Sequence, residues 1–138
     1  MPDWGQDDDD VLSFIWEEID SVPELEALLL LWQHRPEAWT AEDLAKRLYI
    51  SSGETLDLLV DLSRKELITV IPGPPEQFRY EALSDQRNGL MGRLDLTYRR
   101  QIVRVSRLIH SKPSSAVRDF ARAFRFTREK PPKPGDKD

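Results

Sequence analysis

A mainly α-helical fold carrying one two-stranded β-hairpin is what this sequence predicts, on three observations. Helix-opening signals recur before apolar periodic runs, at Ser21–Glu24, Thr40–Asp43, Ser51–Glu54 and Ser84–Asp85. In each, a hydroxyl side chain can accept from backbone N–H groups that a helix start leaves without partners. Only one stretch is β-branched and apolar, Leu67–Ile71, and Pro72-Gly73-Pro74-Pro75 must break it before Gln77–Tyr80 alternates as a returning strand would. Finally, Met91, Leu94, Tyr98, Ile102, Val105 and Ile109 recur at steps of three or four, a helical stripe.

The chain opens on an arm, residues 1–20. Asp7–Asp10 is a run of four acids ahead of Val11–Ile19. Negative charge at a helix N-terminus is favoured by the backbone dipoles, so the run reads as a solvated start and not as a cation site. No glycine turn follows it in the order of a calcium loop. Leu12, Ile15, Trp16 and Ile19 make one apolar face, expected to pack on the body or on a partner. A body over residues 21–83 follows. Its first helix carries Leu25, Leu28, Leu29 and Trp32 at helical spacing, with Leu30 and Leu31 widening the stripe. Arg35-Pro36 ends it.

From Thr40 to Tyr80 the order is helix, tight turn, helix, two short strands. The first of these helices carries Leu44, Ala45 and Leu48 on one face and ends near Tyr49-Ile50; Trp39 can staple onto Leu44. The second runs to about Lys65, with Leu56, Leu59, Val60 and Leu62 expected on its buried side. The strands fall at Leu67–Ile71 and Gln77–Glu81. This is the local order of a winged helix-turn-helix, and it resembles winged-helix domains of the MarR and PadR type.

Residues 84–128 read as a C-terminal helical region: a long helix from Ser84-Asp85 to about Ile109, then a short terminal helix outlined by Val117, Phe120, Ala121 and Phe124. Gly89 and Gly92 weaken the long helix by about 1 kcal/mol each relative to alanine, so a late start or a bend is expected there. Residues 129–138 are a polar, proline-rich tail, disordered by composition. The ending Ile109-His110-Ser111-Lys112-Pro113, followed by Phe120-Ala121-Arg122-Ala123-Phe124-Arg125-Phe126, resembles that of a group of uncharacterised bacterial winged-helix proteins. The resemblance implies a bacterial regulator of unassigned role and brings no catalytic residues.

Charge is divided unevenly. Residues 1–66 hold 17 carboxylates against five lysines and arginines, a balance of −12; residues 67–138 hold eight against 15, a balance of +7. The split suits acidic and basic surfaces that dock, within a chain or between chains, or a basic segment meant for nucleic acid. The acidic start is the opposite of a signal peptide, and the longest apolar run, Ala27–Trp32, falls far short of the roughly 20 residues a bilayer needs. A cytoplasmic protein without a membrane partner is expected.

In a DNA-reading winged helix, the second helix of the motif enters the major groove. Here its outward positions include Glu54, Asp57 and Asp61, and three carboxylates oppose the phosphate charge that dominates affinity. Those residues read instead as a docking face for a charged protein partner. The basic side chains cluster later: Arg93, Arg100, Arg104, Arg107, Arg118, Arg122 and Arg125. They are a solvated face, partners for the acidic half, a phosphate-contacting surface, or a docking site for an acidic protein. The leading expectation is a regulatory protein, not an enzyme, acting mainly by protein–protein contact. The alternative is a transcription regulator gripping DNA phosphates through the C-terminal arginines, and not through the acidic helix. The stripe Met91, Leu94, Tyr98, Ile102, Val105 and Ile109 is longer than a small body can cover, which predicts a homodimer buried along it.

Catalytic and cofactor chemistry finds no support. There is no cysteine, and the two histidines, His34 and His110, have no paired metal-ligand spacing; His110 beside Ser111 reads as a helix end, with no third group to orient a nucleophile–base pair. No metal or cofactor is expected.

Overall fold

A computed structural model describes residues 9–113 of the protein. Six helices and one hairpin follow in the order α1 Asp9–Glu18, α2 Val22–Gln33, α3 Ala41–Leu48, α4 Ser52–Arg64, β1 Thr69–Ile71, β2 Gln77–Arg79, α5 Asp85–Arg100 and α6 Ile102–His110. This is a mainly α winged helix-turn-helix with a two-stranded wing.

The helix starts are set by the predicted hydroxyl side chains. Ser21, Thr40, Ser51 and Ser84 each accept from the backbone N–H three residues on, at 3.0–3.2 Å. At α4 the box is reciprocal, because the Glu54 carboxylate accepts from the Ser51 N–H. At α2 the corresponding glutamate goes elsewhere: Glu24 accepts from the Asp20 N–H at 2.7 Å and is almost wholly buried.

The hairpin is antiparallel, with Thr69 opposite Arg79, Val70 opposite Phe78 and Ile71 opposite Gln77. It is shorter than Leu67–Ile71 and Gln77–Glu81, since Leu67 and Ile68 are drawn into the core instead. A bridge that periodicity does not reveal ties the wing down. Trp39 and Phe78 exchange both backbone hydrogen bonds at 2.8 Å, so the linker before α3 acts as a third, one-residue strand.

The core gathers Leu25, Leu28 and Leu31 of α2, Leu44 of α3, Leu59 and Leu62 of α4, Phe78 of β2, and Met91 and Leu94 of α5, all essentially inaccessible to water. The arm belongs to it: α1 lies on α5 and α6 and buries Val11, Leu12, Phe14, Ile15 and Ile19. Trp16, expected on that face, is 45 % exposed.

The long C-terminal helix is two helices. The break falls at Gln101 (φ −135°, ψ 49°), well after Gly89 and Gly92, which sit within a continuous α5. Backbone bonding survives the break, because the Gln101 N–H donates to Thr97 and its carbonyl accepts from Val105. The turn redirects α6 onto α1, so Val105 and Ile109 are buried by the chain itself. The short terminal helix and the tail lie outside the described residues.

Candidate functional site

The helix-turn-helix sets α3 against α4 across a tight turn at Tyr49. Tyr49 adopts the left-handed region (φ 61°), donates its N–H to the Ala45 carbonyl at 2.8 Å and is 92 % exposed. A bulky residue there is strained, and no side-chain burial compensates it.

The outward face of α4 differs from the sequence expectation. Thr55, Leu59 and Leu62 form its buried side, whereas Leu56 and Val60, expected inside, are exposed at 41 % and 36 %. They stand beside exposed Glu54, Asp57 and Arg64. Together with Asp20, Ser21, Glu24, Leu58 and Asp61 most of these line an open groove of about 560 Å³ between α4 and the start of α2. The face is therefore acidic and apolar at once.

Asp61 is not a free member of that face. Its carboxylate lies 3.0 Å from Lys65 Nζ, in a cluster that joins three elements. Lys65 Nζ also lies 3.1 Å from Asp20 Oδ2, 3.1 and 3.2 Å from the two Glu24 carboxylate oxygens, and donates to the Glu18 carbonyl at the end of α1. Burial pushes the Glu24 carboxyl up to about 8, helped by its hydrogen bond to Asp61 and opposed by Lys65. The same hydrogen bond holds Asp61 below the usual carboxylate range. Asp20, Glu24 and Asp61 bring oxygens within 4.8 Å of one another, close enough to hold a cation. The Lys65 ammonium already bonds all three, so the cluster is an internally bonded tie between α1, α2 and α4.

Lys112 repeats the device from the other end of the chain. Its buried ammonium donates to the carbonyls of Ile15, at 3.0 Å, and Ile19, where α1 ends. Burial lowers its pKa. Neither lysine was singled out from sequence; a lysine within a polar stretch carries no signal of burial.

The basic residues divide. Arg93 lies 2.7 Å from Asp10, so the acidic run and the basic half do meet within one chain. Arg100, Arg104 and Arg107 are exposed at the end of α5 and along α6; Arg104 bonds the Gln101 side chain at 3.1 Å. Arg118, Arg122 and Arg125 lie outside the described residues. Of the expected dimer stripe, Met91, Leu94, Tyr98, Val105 and Ile109 are buried inside the chain, and only Ile102 is open, at 51 %, next to Val103 at 62 %. The break at Gln101 causes this, because it turns the stripe's second half back onto α1.

A second recess of about 340 Å³ lies between α2, α3 and α5. On its wall the Tyr98 hydroxyl donates to Glu26 at 2.7 Å, and Asp95 accepts from Gln33 at 2.7 Å and Arg99 at 2.6 Å. His34 meets Trp39 edge-on at a centroid distance of 5.5 Å, and His110 closes α6; they are far apart in the chain and in role. No helix of the described residues is long and apolar enough to cross a membrane.

No protein-family model matches the chain, and no curated protein does. Solved structures with the same fold are found. The haem-free form of PefR superposes with a TM-score of 0.50 at 13% identity, over 68% of this chain and 85% of that one. The MarR family transcriptional regulator SPO1453 from Silicibacter pomeroyi DSS-3 gives 0.50 at 16% identity, over 87% and 85%. The fold is thus the winged helix-turn-helix that these two solved structures share.

Proposed function

We propose that this chain is a winged-helix transcription regulator that binds duplex DNA through its phosphates, acting as a homodimer. The observation that carries the reading is the exposed row of Arg100, Arg104 and Arg107 in a basic half, on a fold shared with a known transcription regulator. Arginine forks bind phosphate oxygens well and bring no base preference. The outward face of α4 would stay off the duplex, since Glu54 and Asp57 repel phosphates where a reading helix needs attraction.

Titrating random-sequence duplex by fluorescence anisotropy at several salt concentrations tests this. Affinity should fall steeply with salt, and each lost phosphate contact should reduce the log–log slope by about one. The Arg100→Ala, Arg104→Ala, Arg107→Ala variant should lose slope accordingly, while Asp57→Lys should not weaken binding. No binding at low salt, or a slope the triple variant leaves unmoved, overturns the reading.

The α4 face favours a second reading, docking of a charged protein partner. Leu56 and Val60 beside Glu54 and Asp57 have the mixed apolar and charged character of such contacts. Partner capture lost on Asp57→Lys, with DNA binding absent, would select it.

A further inference from the structure

A helix end leaves carbonyls without partners inside the helix. The last turn of α1 holds no basic residue of its own, and two distant lysines serve those carbonyls instead. Lys65, at the end of α4, donates to the Glu18 carbonyl; Lys112, after α6, donates to those of Ile15 and Ile19. The arm itself lies along α5 and α6 and buries Val11, Phe14, Ile15 and Ile19. Lys65 is thus a clasp between the arm and the helix-turn-helix.

More acceptors crowd that clasp than it has donors. An ammonium carries three N–H groups. Around Lys65 Nζ stand the Glu18 carbonyl, Asp20 Oδ2 at 3.1 Å, Asp61 Oδ2 at 3.0 Å and the Glu24 carboxyl oxygens at 3.1 and 3.2 Å. Of these groups, the backbone carbonyl never carries charge. Glu24 Oε1 also accepts from the Asp20 N–H at 2.7 Å, and its carboxyl hydrogen-bonds Asp61. While Glu24 keeps its proton, it donates to Asp61 and makes little demand on the lysine. Three N–H groups then suffice for Glu18, Asp20 and Asp61. Once Glu24 ionises, three carboxylates share one ammonium. Charge-assisted bonds are roughly twice as strong as neutral ones, so the carbonyl is the acceptor that loses.

We propose that the contact at Lys65 is a proton-gated clasp: ionisation of Glu24 draws the ammonium off the Glu18 carbonyl and loosens the end of α1 from α4. This goes beyond the function proposed above. The arm covers Val105 and Ile109, so the gate acts on the seat of α6, the helix that carries Arg104 and Arg107. Burial pushes the Glu24 carboxyl up to about 8, which puts the gate in the neutral range. Charges face Glu24 from each neighbouring element. Asp20 comes from the link between α1 and α2, Asp61, Arg64 and Lys65 from α4, and Glu18 and Lys112 from the two sides of the α1 end.

Amide hydrogen exchange followed by mass spectrometry on the full chain, corrected for the intrinsic pH dependence of exchange, reads the clasp. An opening that releases one proton becomes about tenfold more populated per pH unit, here between 4.5 and about 8, and levels off above. Protection of residues 9–19 should fall accordingly across that window, while the core of α2 and α4 around Leu28 and Leu59 stays the better protected. Glu24→Gln keeps the shape and cannot ionise, so its arm should hold the same protection at every pH. Lys112→Met should lower protection of the arm throughout and leave its pH response in place. Circular dichroism confirms that each variant is folded. An arm whose protection ignores pH, or that responds as strongly in Glu24→Gln, would overturn the proposal. A fall shared equally by α1, α2 and α4 would mean that the whole fold loosens, and a response abolished by Lys112→Met would assign the gate to the other lysine. Either result overturns the proposal as well.

Discussion

Lys65 Nζ sits 3.1 Å from the buried Glu24 carboxylate, so the end of α4 is tied to the first turn of α2. The same ammonium reaches Asp20, Asp61 and the last carbonyl of α1. Removing it leaves several polar groups short of a partner at once, and that asymmetry makes the loss larger than the net worth of any one bond. Fully buried pairs cost about 3–5 kcal/mol when one partner is removed. Asp20 and Asp61 keep 26% and 39% of their side chains in water, which discounts the loss. Lys65→Met should therefore destabilise by about 2–3 kcal/mol in urea denaturation. Asp10→Asn, which breaks an exposed pair with Arg93, should change stability little. Equal effects of the two would contradict the assignment.

The pH dependence follows from the same cluster. Glu24 is raised from 4.5 to about 8, so between those values the folded state holds a proton that the unfolded chain has released. Stability is then fully present below pH 4.5 and is lost as pH rises toward 8. Asp61 is lowered and acts oppositely, its contribution being lost as pH falls through its folded value, below 3.8. Asp20, Lys65, Arg64 and Lys112 are the other charges close to the pair. Urea midpoints should fall between pH 5 and 8, by an amount on the order of a few kcal/mol in stability. Glu24→Gln keeps the shape and cannot titrate, so its midpoints should stay level. A sloping Gln variant would remove Glu24 as the cause.

Local signals carried most of the fold. A capping hydroxyl and a proline break act within three or four residues, and α2, α3, α4 and α5 start where their serine or threonine stands. What depends on distant packing was not legible. Gln101 is no breaker by propensity; the chain turns there because burying Val105 and Ile109 against α1 repays a bend that the backbone bonds already tolerate. Leu56 and Val60 read as core because every leucine and valine at that spacing does, yet only Thr55, Leu59 and Leu62 face the body. The acidic face itself was visible, since Glu54 and Asp57 are charged whichever way the helix turns. Lys65 and Lys112 were not, because their role exists only once α1 brings its carbonyls to them.

The two halves of the former stripe should now separate in experiment. Val105 is fully buried against the arm, so Val105→Asp places an unpaired charge in the core. Such a charge costs well over the few kcal/mol that a small domain can lose, and the variant should be unfolded or insoluble. Ile102 and Val103 are exposed at 51 % and 62 %, at the start of α6, where a second copy can cover them without disturbing the fold. An isologous contact would count each residue twice, so the pair is a strong lever on association. Ile102→Asp with Val103→Asp should keep the circular dichroism spectrum and melting behaviour of the unmodified chain while shifting light scattering from dimer to monomer. A monomeric unmodified chain at tens of micromolar would refute the dimer outright. A double variant that stays dimeric would move the contact away from α6.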